Sequence, residues 1–263
     1  MDTWLRLAVA AGIFILMIGL EAWVPCRTDG IDRKHRWLSN LGLAASNMLA
    51  MRITIGGLAY LAADYAQAQG IGLLNWLHVG GPLALILSLV WLDFAIYWQH
   101  VASHHIPMLW RLHQVHHSDL AIDATTAVRF HPLEIALSMV YKTLCILVIG
   151  ANPLAVILFE MILNGAATFN HSNIRIPVPL EKALRWLVIT PDLHRIHHSA
   201  LPVETNSNYG FSIPLWDRLF GTFTAHPQLP QTTMVIGLAQ FRNPHDVAFW
   251  ALLKMPFKYW HTG

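Results

Sequence analysis

Residues 4–24, WLRLAVAAGIFILMIGLEAWV, form an apolar run long enough to cross a hydrocarbon core of about 30 Å. Further apolar stretches occupy 38–63, 71–99 and 133–168. The composition agrees. The chain is 55% hydrophobic and only 12% charged, against about 25% charged residues in soluble domains. The expected fold class is therefore all-α: a polytopic membrane helical bundle of about four spans, capped by a cytosolic helical domain. No basic run interleaved with aromatics is present, so nucleic acid is not an expected partner. Cys26 and Cys145 lie far apart and read as free thiols.

Charge orients the spans. No basic segment precedes residues 4–24, which read as a retained anchor rather than a removed signal. Arg27, Arg33, Lys34 and Arg36 follow, so that loop is cytoplasmic and the N-terminus outside. The second span falls within 38–63 and contains Arg52. Either Arg52 faces the bundle, or residues 36–50 lie at the interface and the span starts later. The loop at 64–70 lacks Lys and Arg, as an outer loop should, and 71–99 returns the chain to the cytoplasm.

Residues 133–168 are broken at Gly150-Ala-Asn-Pro153, which predicts a helical hairpin that enters the membrane and comes back. The whole chain, 1–263, then reads as one membrane-embedded domain. Its parts are spans over 1–99, a cytosolic His-rich segment over 100–132, a membrane hairpin over 133–168 and a cytosolic cap over 169–263. The end of that cap, 244–260, reads either as an interfacial helix or as a helix packed on the cap.

Histidine dominates the polar segments. Of sixteen histidines, nine fall within 100–117 and 194–198. They form His100-x3-His104, then His113-x-x-His116-His117, then His194-x-x-His197-His198. At about 100° per residue, positions i and i+4 share a helix face, and positions i+3 and i+4 flank position i. Each His-x-x-His-His helix therefore offers three imidazoles to one cavity. Together with His100 and His104 that makes eight, more than one metal can use, so two metals are implied. His105 sits one residue off the face of His100 and His104 and should point elsewhere. Thr190-Pro191-Asp192 reads as an N-cap, a first-position proline and a first-turn acid, which starts the helix carrying the third motif.

Imidazole suits Zn, Cu, Fe and Ni. Structural zinc sites are closed and often use Cys. Eight neutral nitrogen ligands without Cys fit a pair of Fe(II) ions with open positions for O₂. Zinc can replace iron in such sites on overexpression. Carboxylates near the motifs (Asp93, Asp119, Asp123, Glu134 and Asp192) are candidates for holding imidazole N–H groups, with Asp93 and Asp192 singled out.

At DFAIYWQHVASHH, LWRLHQVHHSD, RFHPLE, FNHSNIRIP, TPDLHRIHHS and NYGFSIPLWDRLFGTF the chain resembles the fatty acid hydroxylase superfamily, also called the sterol desaturase family. The likeness covers roughly 85–225. It implies a membrane bundle capped by a cytosolic domain that holds two irons in a di-iron centre. It implies a monooxygenase or desaturase chemistry of lipid biosynthesis, in which O₂ and external electrons hydroxylate or desaturate a C–H bond of a sterol, fatty acyl or sphingolipid-like substrate. Carried over by motif, His100, His104, His113, His116, His117, His194, His197 and His198 are metal ligands. His171 in FNHSN completes the set. Some relatives have a further histidine four residues before it, where this chain has Ala167. His131 in RFHPLE takes a supporting or structural role, and Trp216-Asp217-Arg218 stabilises the cap.

The lipid is expected from the bilayer. Electrons are expected from a separate ferredoxin, cytochrome b5 or reductase, because no stretch of this sequence resembles such a module. The protein is expected to be a multi-pass membrane protein with its His-rich face in the cytoplasm, in the plasma membrane if bacterial and the endoplasmic reticulum if eukaryotic. Two rival classes need different patterns. A metal transporter would set ligands within its spans. A zinc hydrolase would show a general base, as in His-Glu-x-x-His, which is absent from the sequence.

Overall fold

The apolar runs become helices. The computed structural model describes residues 3–28, 31–54 and 57–258. Eight helices build the bundle and its polar end: α1 (Thr3–Trp23), α2 (Arg33–Thr54), α3 (Leu58–Ala68), α4 (Leu73–Trp76), α5 (Gly81–His105), α6 (Pro107–His117), α7 (Pro132–Ile149) and α8 (Pro153–Asn170). Five shorter ones lie in the cap: α9 (Val178–Leu184), α10 (Pro191–His197), α11 (Pro202–Thr205), α12 (Leu215–Phe220) and α13 (Phe249–Lys258). Among the described residues there is no strand, only isolated bridges at Pro25–Ile174 and Ser199–Ile236.

By length and composition, α5, α7 and α8 can each cross a membrane, and α1 is apolar over Ala8–Trp23. Their outer faces are apolar, as a lipid solvent requires. On α7, Leu133, Leu137, Val140, Leu144 and Val148 recur at helical spacing and are all exposed. The inward faces of α7 and α8 meet α3, whose buried Ala59, Ala62, Ala63 and Ala66 let helix backbones approach closely. Leu92, Ile96, Ile146, Val156 and Phe159 fill the core behind that stripe. The chain is an integral membrane protein.

The hairpin is as the sequence predicts. Gly150 ends α7 in the left-handed region, and Asn152 caps α8 ahead of Pro153. Its tip is pressed on the turn before α4: a Cβ on Gly72 would lie 2.2 Å from the Gly150 nitrogen, so no side chain fits there.

The second span differs from expectation. The stretch 38–63 is two helices separated around Gly57, which has a φ of 82°. α2 is not among the helices apolar enough to cross a membrane. Its Arg36, Asn40 and Asn47 instead bond to residues 119–130 of the polar end. Polar groups spaced along one face bind α2 to the histidine domain, which is the physical reason it does not serve as a plain span. The Arg52 side chain lies outside the described residues. α5 runs on to His105, so that it carries His100 and His104 in its last turns, as their spacing predicts.

The C-terminal helix α13 packs on the rest of the chain, the second of its two readings. One face packs Leu252 and Met255 against Leu43, Val115 and Leu120. The other exposes Trp250 (70%) and Phe257 (61%). Residues 259–260 of the expected helix lie outside the described residues.

Candidate metal centre

Four elements bring nine histidines together at the polar end of the bundle. The last turns of α5 carry His100 and His104. α6 opens with Pro107 at its first position and presents His113, His116 and His117. His171 is the residue that ends α8. Thr190 caps α10 by accepting from the Leu193 amide, with Pro191 first in the helix, as the sequence predicts. That helix carries His194 and His197 and ends at His198. His105 points away and bonds to the Tyr209 hydroxyl.

The nine side chains divide into two groups, each with one nitrogen per residue within 4.8 Å of the others. The first group is His100, His104, His113, His117 and His197; the second is His116, His171, His194 and His198. The division is a swap between helices. α6 sends positions i and i+4 of its motif, His113 and His117, to the first group and position i+3, His116, to the second. The α10 motif does the reverse: His194 and His198 enter the second group and His197 the first. This makes the two groups quasi-equivalent. The i, i+4 pair His100 and His104 on α5 then matches Ala167 and His171 on α8. The second group has four members because its counterpart of His100 is an alanine.

Hydrogen bonding identifies what such a cluster can hold. His100 Nδ1 donates to the Tyr209 carbonyl at 2.7 Å and His197 Nδ1 to the Ser207 carbonyl at 2.7 Å. His171 Nδ1 donates to the Ala167 carbonyl at 2.7 Å and His116 Nδ1 to the Arg129 carbonyl at 3.2 Å. A carbonyl can only accept, so each of these rings keeps its proton on Nδ1 and leaves Nε2 as a bare lone pair. Those lone pairs face each other. The Nε2 atoms of His197 and His100 are 3.0 Å apart, and those of His171 and His116 are also 3.0 Å apart. Opposed lone pairs repel unless a cation lies between them. Two nitrogens bound at about 2.1 Å and at right angles to one ion are separated by about 3 Å. His104 Nε2 and both ring nitrogens of His117 and His198 are buried without a partner. The residues fit a metal in each group.

Electrostatics agrees. Burial drives His116, His117, His194 and His198 well below the ordinary histidine value. It takes His171 to about 4 and His197 to about 3. These six rings are neutral at pH 7, so they can bind a metal without first losing a proton. The sign for folding follows. An unfolded histidine protonates near 6.5, so below that pH the unfolded chain binds protons that the fold refuses. The metal-free protein is expected to lose stability as pH falls from about 6.5, by roughly 1.4 kcal/mol per pH unit for each such histidine. Asp217, pushed up to about 6 by burial, works in the opposite direction and offsets part of this loss. Urea unfolding of metal-free protein in detergent between pH 5 and 8 checks this, and a flat profile would contradict it.

The sequence-selected supporting residues bond elsewhere. Asp93 accepts from the Trp216 indole at 2.8 Å and so ties α5 to the cap. His131 caps α7, accepting from the Leu133 amide, and bonds to the Leu253 carbonyl. Asp192 accepts from Arg195. None of these bonds reaches a clustered imidazole. Of the five carboxylates considered, Glu134 on α7 does so, accepting from His113 Nδ1 at 2.6 Å.

The remaining support was invisible in the motifs, because backbone carbonyls supply it. Asp217 arranges two of them. It is fully buried and accepts from the amides of Tyr209 and Gly210 at 2.8 Å. That holds the loop whose Ser207 and Tyr209 carbonyls orient His197 and His100. A second network sits behind α6. Arg129 donates to the Val115 carbonyl, Asn40 and Ser118, while its own carbonyl receives His116. Asp119, two residues after the second motif, pairs with Arg36 at 2.6 Å. Burial alone would raise Asp119; Arg36 and Arg129 outweigh it and hold the carboxyl well below its usual range.

A cavity of about 330 Å³ lies against His100 and His113. Ile96, Leu163 and Phe211 give it apolar walls. Its wall includes Met48 and Asn164, both exposed, so it reaches the surface between α2 and α8. Ala167 also lines it.

The chain is similar to known proteins over this same region. The family model "Fatty acid hydroxylase" matches residues 85–222, more than half of the chain. Ornithine lipid hydroxylase OlsE of Rhizobium tropici is 34% identical over 160 residues, covering 58% of this chain and 45% of the relative. Alkylglycerol monooxygenase of Homo sapiens is 30% identical over 178 residues, 65% of this chain and 37% of the relative. Very-long-chain aldehyde decarbonylase GL1-5 of Oryza sativa subsp. indica is 26% identical over 232 residues, 82% of this chain and 36% of the relative. The chain thus spans less than half the length of these relatives. No solved structure matches. The matched segment begins inside α5 and ends just past α12, so it takes in all nine clustered histidines and the Asp217 loop, and by it the chain belongs to the fatty acid hydroxylase family.

Proposed function

We propose that this chain is a membrane-bound di-iron oxidoreductase that uses O₂ and electrons from a donor protein to hydroxylate or desaturate a C–H bond of a lipid. The observation that carries the reading is the five-plus-four division of inward lone pairs beside an apolar cavity. His100, His104, His113, His117 and His197 hold one iron. His116, His171, His194 and His198 hold the other. All-nitrogen sets suit iron, and the four-membered set leaves room for a further ligand. When bound, the iron pair supplies the O₂ activation that an unactivated C–H bond requires.

The chain's own residues do the rest. Carbonyls of Ser207, Tyr209, Arg129 and Ala167 fix four rings in the ligating tautomer, and Glu134 fixes His113. The cavity keeps water from the reacting carbon and takes its lipid through the opening between α2 and α8. The ornithine lipid hydroxylase and alkylglycerol monooxygenase among its relatives act, by name, on lipids.

The histidine end faces the cytoplasm in this reading. Arg33, Lys34, Arg175, Lys182 and Lys254 lie at that end, whereas the turns at 69–80 and 150–152 carry no Lys or Arg. A ferredoxin, cytochrome b5 or reductase would deliver electrons there.

The test is the metal content of protein purified without oxygen from iron-fed cells. About two irons per chain, spin-coupled after oxidation, are expected from the two ligand sets. Zinc alone, persisting at native expression levels, would replace the oxygenase reading with zinc hydrolysis or with metal transport or storage.

The quasi-equivalence of the groups adds a prediction. Ala167→His supplies the second group with the counterpart of His100. It is expected to slow loss of that group's metal to a chelator at least about tenfold, in line with the effect of single groups at metal sites. Unchanged release of both metals would show that position 167 does not reach the ion.

A further inference from the structure

α5 turns a stripe of apolar side chains outward. Leu83, Ile86, Leu87 and Val90 are exposed, and so is Trp98 further along. Phe94 lies between them on the same face but is half-buried. α12 covers it. Trp216 meets Phe94 with ring centroids 5.0 Å apart, Phe220 meets Trp98 at 5.1 Å, and the Trp216 indole donates to Asp93. A helix of the cap thus lies over the lipid-facing stripe of a span, and exposed residues of that stripe lie on both sides of it.

Bonds between α5 and α7 fix the level. The Tyr141 hydroxyl donates to the Ala95 carbonyl at 3.1 Å, and Ser138 Oγ donates to Gln99 Oε1 at 3.2 Å. Residues 94–98, and α12 with them, are therefore level with 138–141, the middle of α7. From there α7 runs about two turns further toward the histidine end, with Leu137 and Leu133 exposed on its outer face. Lipid that covers those leucines reaches past the level of α12. On α12 itself Leu215 (51%) and Leu219 (64%) stay exposed. Trp186 and Leu187, in the turn after α9, are exposed as well. Adjoining apolar surface of this kind is costly in water. The neighbouring charge is shielded: the Arg218 guanidinium lies 4.0 Å from the Trp186 ring and 3.9 Å from that of Phe223, and donates to the Arg185 carbonyl.

We propose that α12 and the turn at 186–187 are seated in lipid, in the leaflet on the histidine side, as a half-inserted anchor of the cap. The occupant is lipid because the patch continues the lipid-facing stripe of α5, and a tryptophan at its edge suits the membrane interface. The cap, expected to stand in the cytosol, dips into the bilayer at this point. The metal centre is tied to the anchor, since Asp217 of α12 holds the loop whose carbonyls orient His100 and His197.

Nitroxide accessibility tests the placement. Leu219→Cys and Leu187→Cys are labelled singly in the full chain, with Cys26 and Cys145 changed to alanine and zinc in the metal centre. The protein is held in vesicles of phosphatidylcholine and phosphatidylglycerol. Leu137→Cys is the lipid reference, and Gln228→Cys, at an exposed position of the cap, the water reference. Variants are compared at equal zinc content. For both labels, collision with O₂ is expected to match that at 137, and collision with a water-soluble nickel chelate to be about tenfold rarer than at 228. Nickel collision as frequent as at 228, for either label, overturns the proposal. So does shielding from both O₂ and nickel, which would mean that protein, such as a second copy of the chain, covers this surface. Neither readout depends on turnover.

Discussion

His197→Ala is expected to empty one metal position and leave the other filled. His197 belongs to the first group, while its neighbours His194 and His198 belong to the second. Metal content should fall from two ions per chain to about one, and lipid oxidation by at least about a thousandfold, because neither ion alone supplies the chemistry of the pair. His198→Ala should also remove one ion, but from the other group. The two single-metal proteins should therefore differ in the spectrum of the iron that remains, although the substitutions are adjacent in sequence. His113→Ala should behave as His197→Ala does, since both rings sit in the first group. Membrane insertion should be unchanged in all three, because α5, α7 and α8 are held by apolar packing away from these rings. Retention of both metals in His197→Ala, or identical residual spectra for His197→Ala and His198→Ala, would sink the assignment.

Asp119→Ala should be the most damaging single change outside the histidines. Asp119 is buried between Arg36 and Arg129 and also accepts from Asn40 and Thr126. Removing it leaves Arg129 without its nearby anion and Arg36 with Asp123 alone. The expected loss is about 3–5 kcal/mol, the cost of breaking a buried pair from one side. The network is continuous with the metal centre, since Arg129 holds Val115 and Ser118 on either side of His116 and His117. Metal affinity should fall together with stability. Denaturant titration in detergent, with metal analysis, checks both. A loss below about 1 kcal/mol for Asp119→Ala would place the pair among weakly coupled surface bridges instead.

Much of the site could be read from the motifs, because helical periodicity is local. Spacings of three and four residues fix which histidines share a face, and Thr190-Pro191 fixes where the last such helix begins. His171 needed the family likeness, since a lone histidine carries no periodic signal. Glu134 was one carboxylate among five until its distance to His113 was known. The carbonyls that set the tautomers carry no sequence signature at all, and Asp217 reaches the histidines only through the loop it holds. The two readings of 36–63 stay open in the sequence, because Arg36, Asn40 and Asn47 show their purpose only once residues 119–130 are packed beside them.

The amino-acid sequence by itself determined a helical membrane bundle, the hairpin at Gly150–Pro153, and a His-rich end suited to metal. Apolar run length, backbone hydrogen bonding and helix period act within one segment, so no distant partner is needed to read them. Only the tertiary structure decided which histidine joins which group. His116 lies next to His117 in the chain, yet on a helix consecutive side chains diverge by about 100°. Where each ring points becomes a choice between two groups only when α5, α6, α8 and α10 meet around them.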